Sequence, residues 1–178
     1  MTHATQPGQG TSLRERLEEH RGVPGGGGVS RRSVLRRHVG LALINESQGE
    51  INIPTWGRRG HISAEQRRQE ELLEKLVTRY VGEMMVLWLP VPGIDQAACD
   101  GRKRVEESSI ALLSNRLELI DKPSKEWLGL HHPKDSVRRS GLWNVQHVDQ
   151  PYDPSFLDDM DELVAAIAGN PGSIMKRG

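Results

Sequence analysis

The sequence predicts an α+β domain that is mostly helical. Apolar residues recur every three or four positions over several stretches, and two of these stretches open with a capping box. One observation adds a β component: residues 85–89 form a wholly apolar run stopped by Pro90, which is typical of a short buried strand. No second convincing strand is visible. We expect a single domain over 1–178, with 1–10 as loop, 11–168 as core and 169–178 as a flexible tail.

The first helix is predicted over residues 11–21. Ser12 can cap its N-terminus while Glu15, three residues later, reaches back to the Ser12 backbone. Gly22 suits the left-handed conformation that often follows a helix. The sequence therefore defines both ends of this helix.

The first helix has two distinct faces. Leu13 and Leu17 form one apolar stripe, whereas Arg16 and His20, also four residues apart, share another face. Two interpretations of the second face remain open. It is either an ordinary solvated surface or a surface turned toward an anionic substrate.

Two further helices are predicted after the four glycines at 25–28. Ser30 is expected to cap a helix that runs to about Ile44, although the apolar run 39–44 leaves a strand as an alternative. Ser63 opens the strongest predicted helix, which ends near Gly82. The inward-facing residues expected for the helix after Ser30 are Val34, His38, Leu41 and either Leu43 or Ile44. Those expected for the helix after Ser63 are Leu72, Leu73, Leu76, Val77 and Tyr80.

A fourth helix is predicted from Asp95 or Asp100 to about Arg116. One turn before Ile110 lies Glu106, so we expect this carboxylate on the buried stripe and Glu107 turned toward solvent. Glu106 either complements the positive N-terminus of the helix or serves as a functional carboxylate. The predicted apolar stripe of the fourth helix is Ile110, Leu113 and Leu117.

Two more helices are predicted, a short one near 135–139 and a closing one over 153–168. The inward-facing residues expected for the closing helix are Phe156, Leu157, Met160, Leu163, Val164 and Ile167.

Composition excludes several classes of protein. The chain has 24 basic and 24 acidic residues, so net charge gives no indication of a nucleic-acid partner, although residues 14–37 carry seven Arg against three Glu. The single cysteine, Cys99, cannot form an internal disulfide or a Cys-rich zinc site and fits a reducing compartment. No apolar run reaches the ~20 residues of a membrane span, and no signal peptide is evident. We expect a cytoplasmic protein.

The common catalytic motifs are absent from the sequence. There is no Gly-x-x-x-x-Gly-Lys phosphate loop, no His-Glu-x-x-His zinc motif and no nucleophile signature around Cys99. Three residues remain as candidates: Arg16, His20 and Glu106. A guanidinium can clamp a phosphate, an imidazole can handle a proton, and a carboxylate can hold one hard divalent metal. Together they would form a sparse nuclease site.

These candidates coincide with a family resemblance. The pattern Leu-Arg-x-Arg-Leu-x-x-His at 13–20 resembles the first helix of GIY-YIG nucleases, with Arg16 in the place of the family arginine. His20 matches a histidine that often follows one turn later in the restriction-endonuclease branch. Residues 104–115 resemble the helix with the metal-binding glutamate and align Glu106, rather than Glu107, with it. From Thr2 onward the whole chain resembles bacterial GIY-YIG-like proteins, on the stretches 19–22, 37–40, 54–57, 110–115, 127–129 and 140–144.

The chain departs from the family pattern at its start. The family is named after Gly-Ile-Tyr and Tyr-Ile-Gly motifs on two strands that precede the arginine helix, and residues 1–178 contain neither. The resemblance implies that Met1 falls just after those strands. We expect either a start site assigned too late or a truncated gene. The absent strands would be the sheet partners of 85–89.

The resemblance implies a metal-dependent DNA endonuclease that hydrolyses phosphodiesters. In that scheme Mg²⁺ or Mn²⁺ binds Glu106, Arg16 stabilises charge on the phosphate, and His20 supplies a supporting proton or phosphate contact. DNA is the expected partner, with no membrane and no small-molecule cofactor. Without the two signature strands we expect little or no cleavage and reduced stability. Two alternatives remain open: a non-catalytic nucleic-acid-binding module that uses the 14–37 patch, and an inert gene remnant.

Overall fold

The computed structural model describes residues 12–22, 30–58, 60–89, 91 and 96–168, and the structural statements below concern these residues. They contain the helices α1 (Leu13–Arg21), α2 (Val34–Glu46), α3 (Ala64–Gly82), α4 (Gln96–Leu113), α5 (Asp135–Ser140) and α6 (Ser155–Ala168), with a 3₁₀ helix at Leu128–His131. All six predicted helices are present. The predicted loop 1–10 and tail 169–178 lie outside the described residues. None of the described helices is long and apolar enough to cross a membrane.

Local capping sets the beginnings of the first three helices. The Ser12–Glu15 capping box is formed as predicted, and Gly22 after α1 has a φ of 75°. Ser63 caps α3 with Gln66 in the same reciprocal way. Ser30 was expected to cap α2, but the cap is Ser33, whose Oγ accepts the Arg36 N–H at 3.1 Å. The strand alternative for 39–44 is wrong, because this run lies inside α2.

The main core lies between α2, α3 and the 3₁₀ helix. Trp56, in the loop between α2 and α3, packs against Gly40 and donates its Nε1–H to the Arg37 carbonyl at 3.0 Å. The indole occupies the space that a side chain at position 40 would need, so a glycine is required there. The buried apolar residues of this core are Val39, Ala42, Trp56, Leu73, Val77, Val81 and Leu128.

The buried faces of α2 and α3 carry charge, which the apolar pattern did not predict. Val34 and Leu72 were expected inward, but both are exposed, Leu72 by 66 %. The buried positions on α3 are instead Glu70, Leu73, Glu74, Val77 and Val81, and those on α2 are Arg36, His38, Val39, Gly40 and Ala42. The two faces meet through ion pairs between acids of α3 and arginines near or on α2. The buried face of each helix is therefore turned relative to the apolar stripe expected from the sequence.

The predicted buried strand 85–89 is wrong. No strand is assigned anywhere in the described part of the chain, and Met85 and Leu87 are exposed by 96 % and 98 %. A strand satisfies its backbone only by pairing with another, and the described residues provide no partner. The predicted α+β class is therefore observed only in its helical part.

The apolar stripes expected for the last helices are only partly buried. Ile110 of α4 and Phe156 of α6 are buried, but Leu113, Leu117, Leu157 and Val164 are exposed. The two helices are linked by polar contacts, since Arg104 of α4 lies 2.8 Å from Asp159 and 3.2 Å from Ser155. Apolar spacing alone therefore overestimated the width of both buried faces.

Gly40→Ala should destabilise the fold by about 1–3 kcal/mol, because the new Cβ would overlap the buried Trp56 ring. Gly82→Ala is the matched control, since nothing lies within 4 Å of a Cβ built there. It should leave stability unchanged or raise it by about 0.4–1 kcal/mol. Urea denaturation measures both, and equal effects of the two substitutions would contradict the packing described.

Candidate nucleic-acid interface

Arg16 lies on the accessible side of α1. Its side chain is 42 % exposed and its Nη1 lies 3.1 Å from Glu19 Oε2, one turn later on the same helix. A partly exposed pair within one helix contributes ~0–1 kcal/mol, so the guanidinium can exchange Glu19 for another anion at little cost. A planar guanidinium binds phosphate oxygens well. The geometry of Arg16 is therefore compatible with a phosphate contact.

His20 lies one turn beyond Arg16 and is half-buried. Its Nδ1 is 2.7 Å from the hydroxyl oxygen of Ser33, the cap of α2. Burial lowers the pKa of His20 below its usual value, and the positive charges of Arg16 and Arg36 act in the same direction against Glu19. His20 is therefore neutral at physiological pH.

Arg36 fastens the C-terminal end of α1 to α3. Its fully buried guanidinium donates to the carbonyl oxygens of His20 at 3.1 Å and Arg21 at 3.3 Å, where the partial negative charge of the helix end is concentrated. The same side chain donates to Glu74 Oε2 at 2.7 Å and to Thr78 Oγ1 at 2.9 Å. Arg36 thus places the helix that carries Arg16 and His20.

A second buried charge pair lies beside the first. Arg31 donates two hydrogen bonds to the Glu70 carboxylate, at 2.6 and 3.1 Å, and Thr55 donates a third at 2.7 Å. Burial by itself would raise the pKa of Glu70, but the hydrogen bonds from Arg31 and Thr55 outweigh burial and lower it. Glu70 therefore stays ionised and holds the start of the α2 region against α3.

These pairs change the charge expected for the 14–37 patch. Glu70 and Glu74 of α3 neutralise Arg31 and Arg36 and so remove two of the four excess positive charges. Within the described segments, the arginines of the patch that form no ion pair are Arg21, Arg32 and Arg37. The basic surface is therefore smaller than the local sequence suggests.

A buried histidine pair joins α2 to the 3₁₀ helix. His38 Nδ1 lies 2.9 Å from His132 Nε2, and His132 Nδ1 accepts the Lys134 backbone N–H at 3.0 Å. Because Nδ1 of His132 is an acceptor, its Nε2 carries the proton and donates it to His38. Burial, followed by the neighbouring His132, lowers the pKa of His38 to about 4, and burial also lowers that of His132. His38 is buried, as expected. Its partner His132 lies 94 residues away, so no local sequence pattern could predict the pair.

Glu106 and Glu107 are placed opposite to expectation. Glu106 is exposed, whereas Glu107 is partly buried, with its Oε1 3.8 Å from Lys103 Nζ and 3.5 Å from His147 Nε2. The prediction that Glu107 turns to solvent is therefore wrong. The inner face of α4 passes through Glu107, Ile110 and Ala111, and Ser114 directly after the helix is buried as well. Ile110 alone could not define the direction of this face.

The predicted site residues are only partly brought together. Arg16 and His20 share α1, but no hydrogen bond or ion pair among the described residues links either of them to Glu106. The described part of the chain also contains no group of three or more His, Cys, Asp or Glu side chains that could hold a metal ion. The contacts missed by sequence reasoning are those of Ser33, Arg36, Glu70 and Glu74, which cross between elements.

The chain belongs to the GIY-YIG domain family, whose model matches residues 1–170. This confirms the resemblance that the sequence indicated. No curated protein and no solved structure matches the chain.

Arg36→Met should cost about 3–5 kcal/mol of unfolding free energy, because it leaves the Glu74 carboxylate buried without its partner. Arg68→Met is the matched control, since Arg68 pairs with Glu65 on the exposed side of α3, and it should change stability by less than about 0.5 kcal/mol. The double variant Arg36→Met/Glu74→Met should recover part of the loss. Denaturant titration measures all three, and a double variant less stable than Arg36→Met would exclude an unpaired charge as the cause.

Stability should fall as the pH falls from 6.5 toward 4. Over this range the unfolded chain protonates His38 while the folded chain, with its pKa near 4, does not, so protons favour unfolding. One such histidine contributes a slope of up to about 1.4 kcal/mol per pH unit. His38→Asn retains an acceptor for His132 and should flatten the dependence, whereas exchange of the exposed His61 for Asn should not. Urea midpoints measured across this range would contradict the assignment if both variants kept the full slope.

Proposed function

We propose that this chain is a GIY-YIG-type DNA endonuclease domain that contacts the phosphate backbone through α1. The observation that carries the proposal is the placement of Arg16. Its guanidinium is partly accessible and is held, among the described residues, only by Glu19, while the end of its helix is fixed by the buried Arg36. Because the helix is already fixed, anion binding orders only the Arg16 side chain and not its backbone. Arg16 is the proposed ligand of the scissile phosphate, where it stabilises developing negative charge.

Two further features support a phosphate-binding role for this surface. His20 lies one turn from Arg16 on the same helix and is neutral. Its ring can therefore make a polar contact with a ligand without forming an ion pair with Glu19 in place of Arg16. Arg21 follows directly and is exposed at the helix end. A phosphate backbone crossing α1 would meet these side chains in succession.

The metal dependence implied by the family rests on Glu106. This side chain is exposed and forms no ion pair with any described residue, in contrast to Glu107. Mg²⁺ keeps several water ligands and is often bound through one or two carboxylates together with substrate phosphate, so Glu106 meets the minimum requirement. A bound divalent ion would supply Lewis-acid stabilisation of the phosphate oxygens. Glu106 is the residue proposed to hold Mg²⁺ or Mn²⁺.

The second candidate is a nucleic-acid-binding module without catalysis. It is favoured by the separation of Glu106 from the contacts of α1 and by the lack of a metal-ligand cluster in the described residues. Such a module would use Arg16, Arg21, Arg32 and Arg37 on the phosphate backbone. Its binding would be sensitive to salt and independent of divalent metal.

Arg16→Ala should weaken binding to a short DNA duplex and lower the slope of log affinity against log salt by about 1, since one phosphate contact is lost. If the protein nicks DNA, the rate should fall by about 10²–10³-fold. Arg68→Ala removes a more exposed arginine from an ion pair of the same i,i+3 spacing on α3 and should change neither measurement. Fluorescence anisotropy at several salt concentrations and nicking of supercoiled DNA provide the readouts. Equal behaviour of the two variants would reject α1 as the interface.

If the protein nicks DNA in Mg²⁺ or Mn²⁺, Glu106→Ala should abolish this nicking while leaving metal-free DNA affinity nearly unchanged. Glu107→Ala, one residue along and engaged by His147, is the control and should retain nicking. Nicking that survives Glu106→Ala would exclude the metal assignment. Metal-independent binding by the wild-type chain with no nicking in either metal would support the second candidate instead.

A further inference from the structure

The Ser33 hydroxyl is a buried group with two contacts. Its side chain is 1 % exposed, and its oxygen accepts the Arg36 backbone N–H at 3.1 Å as the cap of α2. The same oxygen lies 2.7 Å from His20 Nδ1. No other hydrogen bond involves the hydroxyl within the described residues. This short set of contacts decides where the hydroxyl proton goes.

A buried hydroxyl proton needs an acceptor. The Arg36 N–H is a donor and cannot serve, so His20 Nδ1 is the acceptor available to Ser33. If Nδ1 carried the imidazole proton instead, the Ser33 proton would be left buried without a partner, at a cost of ~1–3 kcal/mol. The satisfied arrangement therefore has Ser33 donating to Nδ1 and the imidazole proton on Nε2.

The rest of His20 is held in place from a second direction. Arg36 donates to the His20 carbonyl oxygen at 3.1 Å, so both backbone and ring are fixed by residues at the start of α2. Nε2 forms no hydrogen bond to any described residue, and the side chain is half-buried on the same face of α1 as Arg16. Of the two ring nitrogens, Nε2 is thus the one without a partner among the described residues.

We infer that Ser33 is a positioning residue that fixes His20 as the Nε2–H tautomer, so that His20 donates a hydrogen bond to a DNA phosphate oxygen. With its Nδ1 lone pair already occupied by Ser33 and a proton on Nε2, His20 cannot accept a proton from water without breaking this arrangement. Hydrogen bonds from an N–H to an anionic oxygen are stronger than those between neutral groups. The inference rests on the proposed function of α1 and specifies the role of His20 within it.

The charged surroundings agree with a neutral donor. Burial, Arg16 of α1 and Arg36 of α2 lower the pKa of His20, and they outweigh Glu19 of α1, which acts to raise it. Protonation of Nδ1 would also oppose the Ser33 donor. Near pH 7.5 the ring is therefore neutral, and its tautomer can be read directly.

The first test measures the ¹⁵N chemical shifts of His20 in the full chain near pH 7.5. Wild type should show a pyridine-type Nδ1 and a pyrrole-type Nε2. Ser33→Ala should shift both signals toward a mixture of tautomers, and Ser33→Thr, which keeps a hydroxyl at the cap, should restore them. Ser63→Ala is the control, because it removes the equivalent cap of α3 and leaves His20 unchanged. A pyrrole-type Nδ1 in the wild type, or unchanged shifts in Ser33→Ala, would overturn the inference.

The second test measures affinity for a short DNA duplex by anisotropy without metal. His20→Ala should bind about fivefold more weakly, as expected for one lost hydrogen bond. Ser33→Ala, which leaves a mixture of tautomers, should fall between His20→Ala and the wild type, while Ser63→Ala and Ser33→Thr should match the wild type. Unchanged affinity in His20→Ala would overturn the phosphate contact even with the expected tautomer. Unchanged affinity in Arg16→Ala would instead reject the proposed interface, and the nitrogen shifts would still report on Ser33.

Discussion

The structure depends on one buried guanidinium. Arg36 supplies donors to two carbonyls at the end of α1 and to Glu74 and Thr78 of α3, while its own backbone belongs to α2. Three helices therefore meet at a single side chain. Removing a charge from water is costly, and the cost is offset only when nearly all donors find partners with good geometry. Arg36 meets this condition except at Nε, which is buried without a hydrogen bond.

The same constraint determines which charges remain for a ligand. Two acids of α3 are directed inward to satisfy Arg31 and Arg36, so those arginines hold the fold together and are not available to DNA. Arg16 differs because its partner, Glu19, is on the same exposed helix surface and is weakly held. Burial thus divides arginines that are close in sequence into structural and accessible groups. The proposed function uses only the accessible group.

Hydrogen bonds across element boundaries also fix the protonation of the histidines. His20 is held by Ser33, and His38 is held by His132, whose own proton position is set by the Lys134 backbone. In both cases burial lowers the pKa and so favours the neutral ring, while the hydrogen-bond partner, as inferred above for His20, determines the tautomer. The start of α2 is the common element, since Ser33, Arg36 and His38 all belong to it or cap it. A change in its position would alter both the core and the surface of α1.

The sequence by itself determined the helices and the family. Capping boxes at Ser12 and Ser63 involve residues three apart, so local chemistry was sufficient to locate those helix starts. The tertiary structure decided the partners and the faces. Glu74 is 38 residues from Arg36 and His132 is 94 residues from His38, so no local pattern could pair them. Likewise Ala111 and Ser114 are buried together with Ile110, and Glu107 rather than Glu106 lies on their side of the chain. An apolar run such as 85–89 forms a strand only when a partner supplies its hydrogen bonds, a condition that lies outside the run itself.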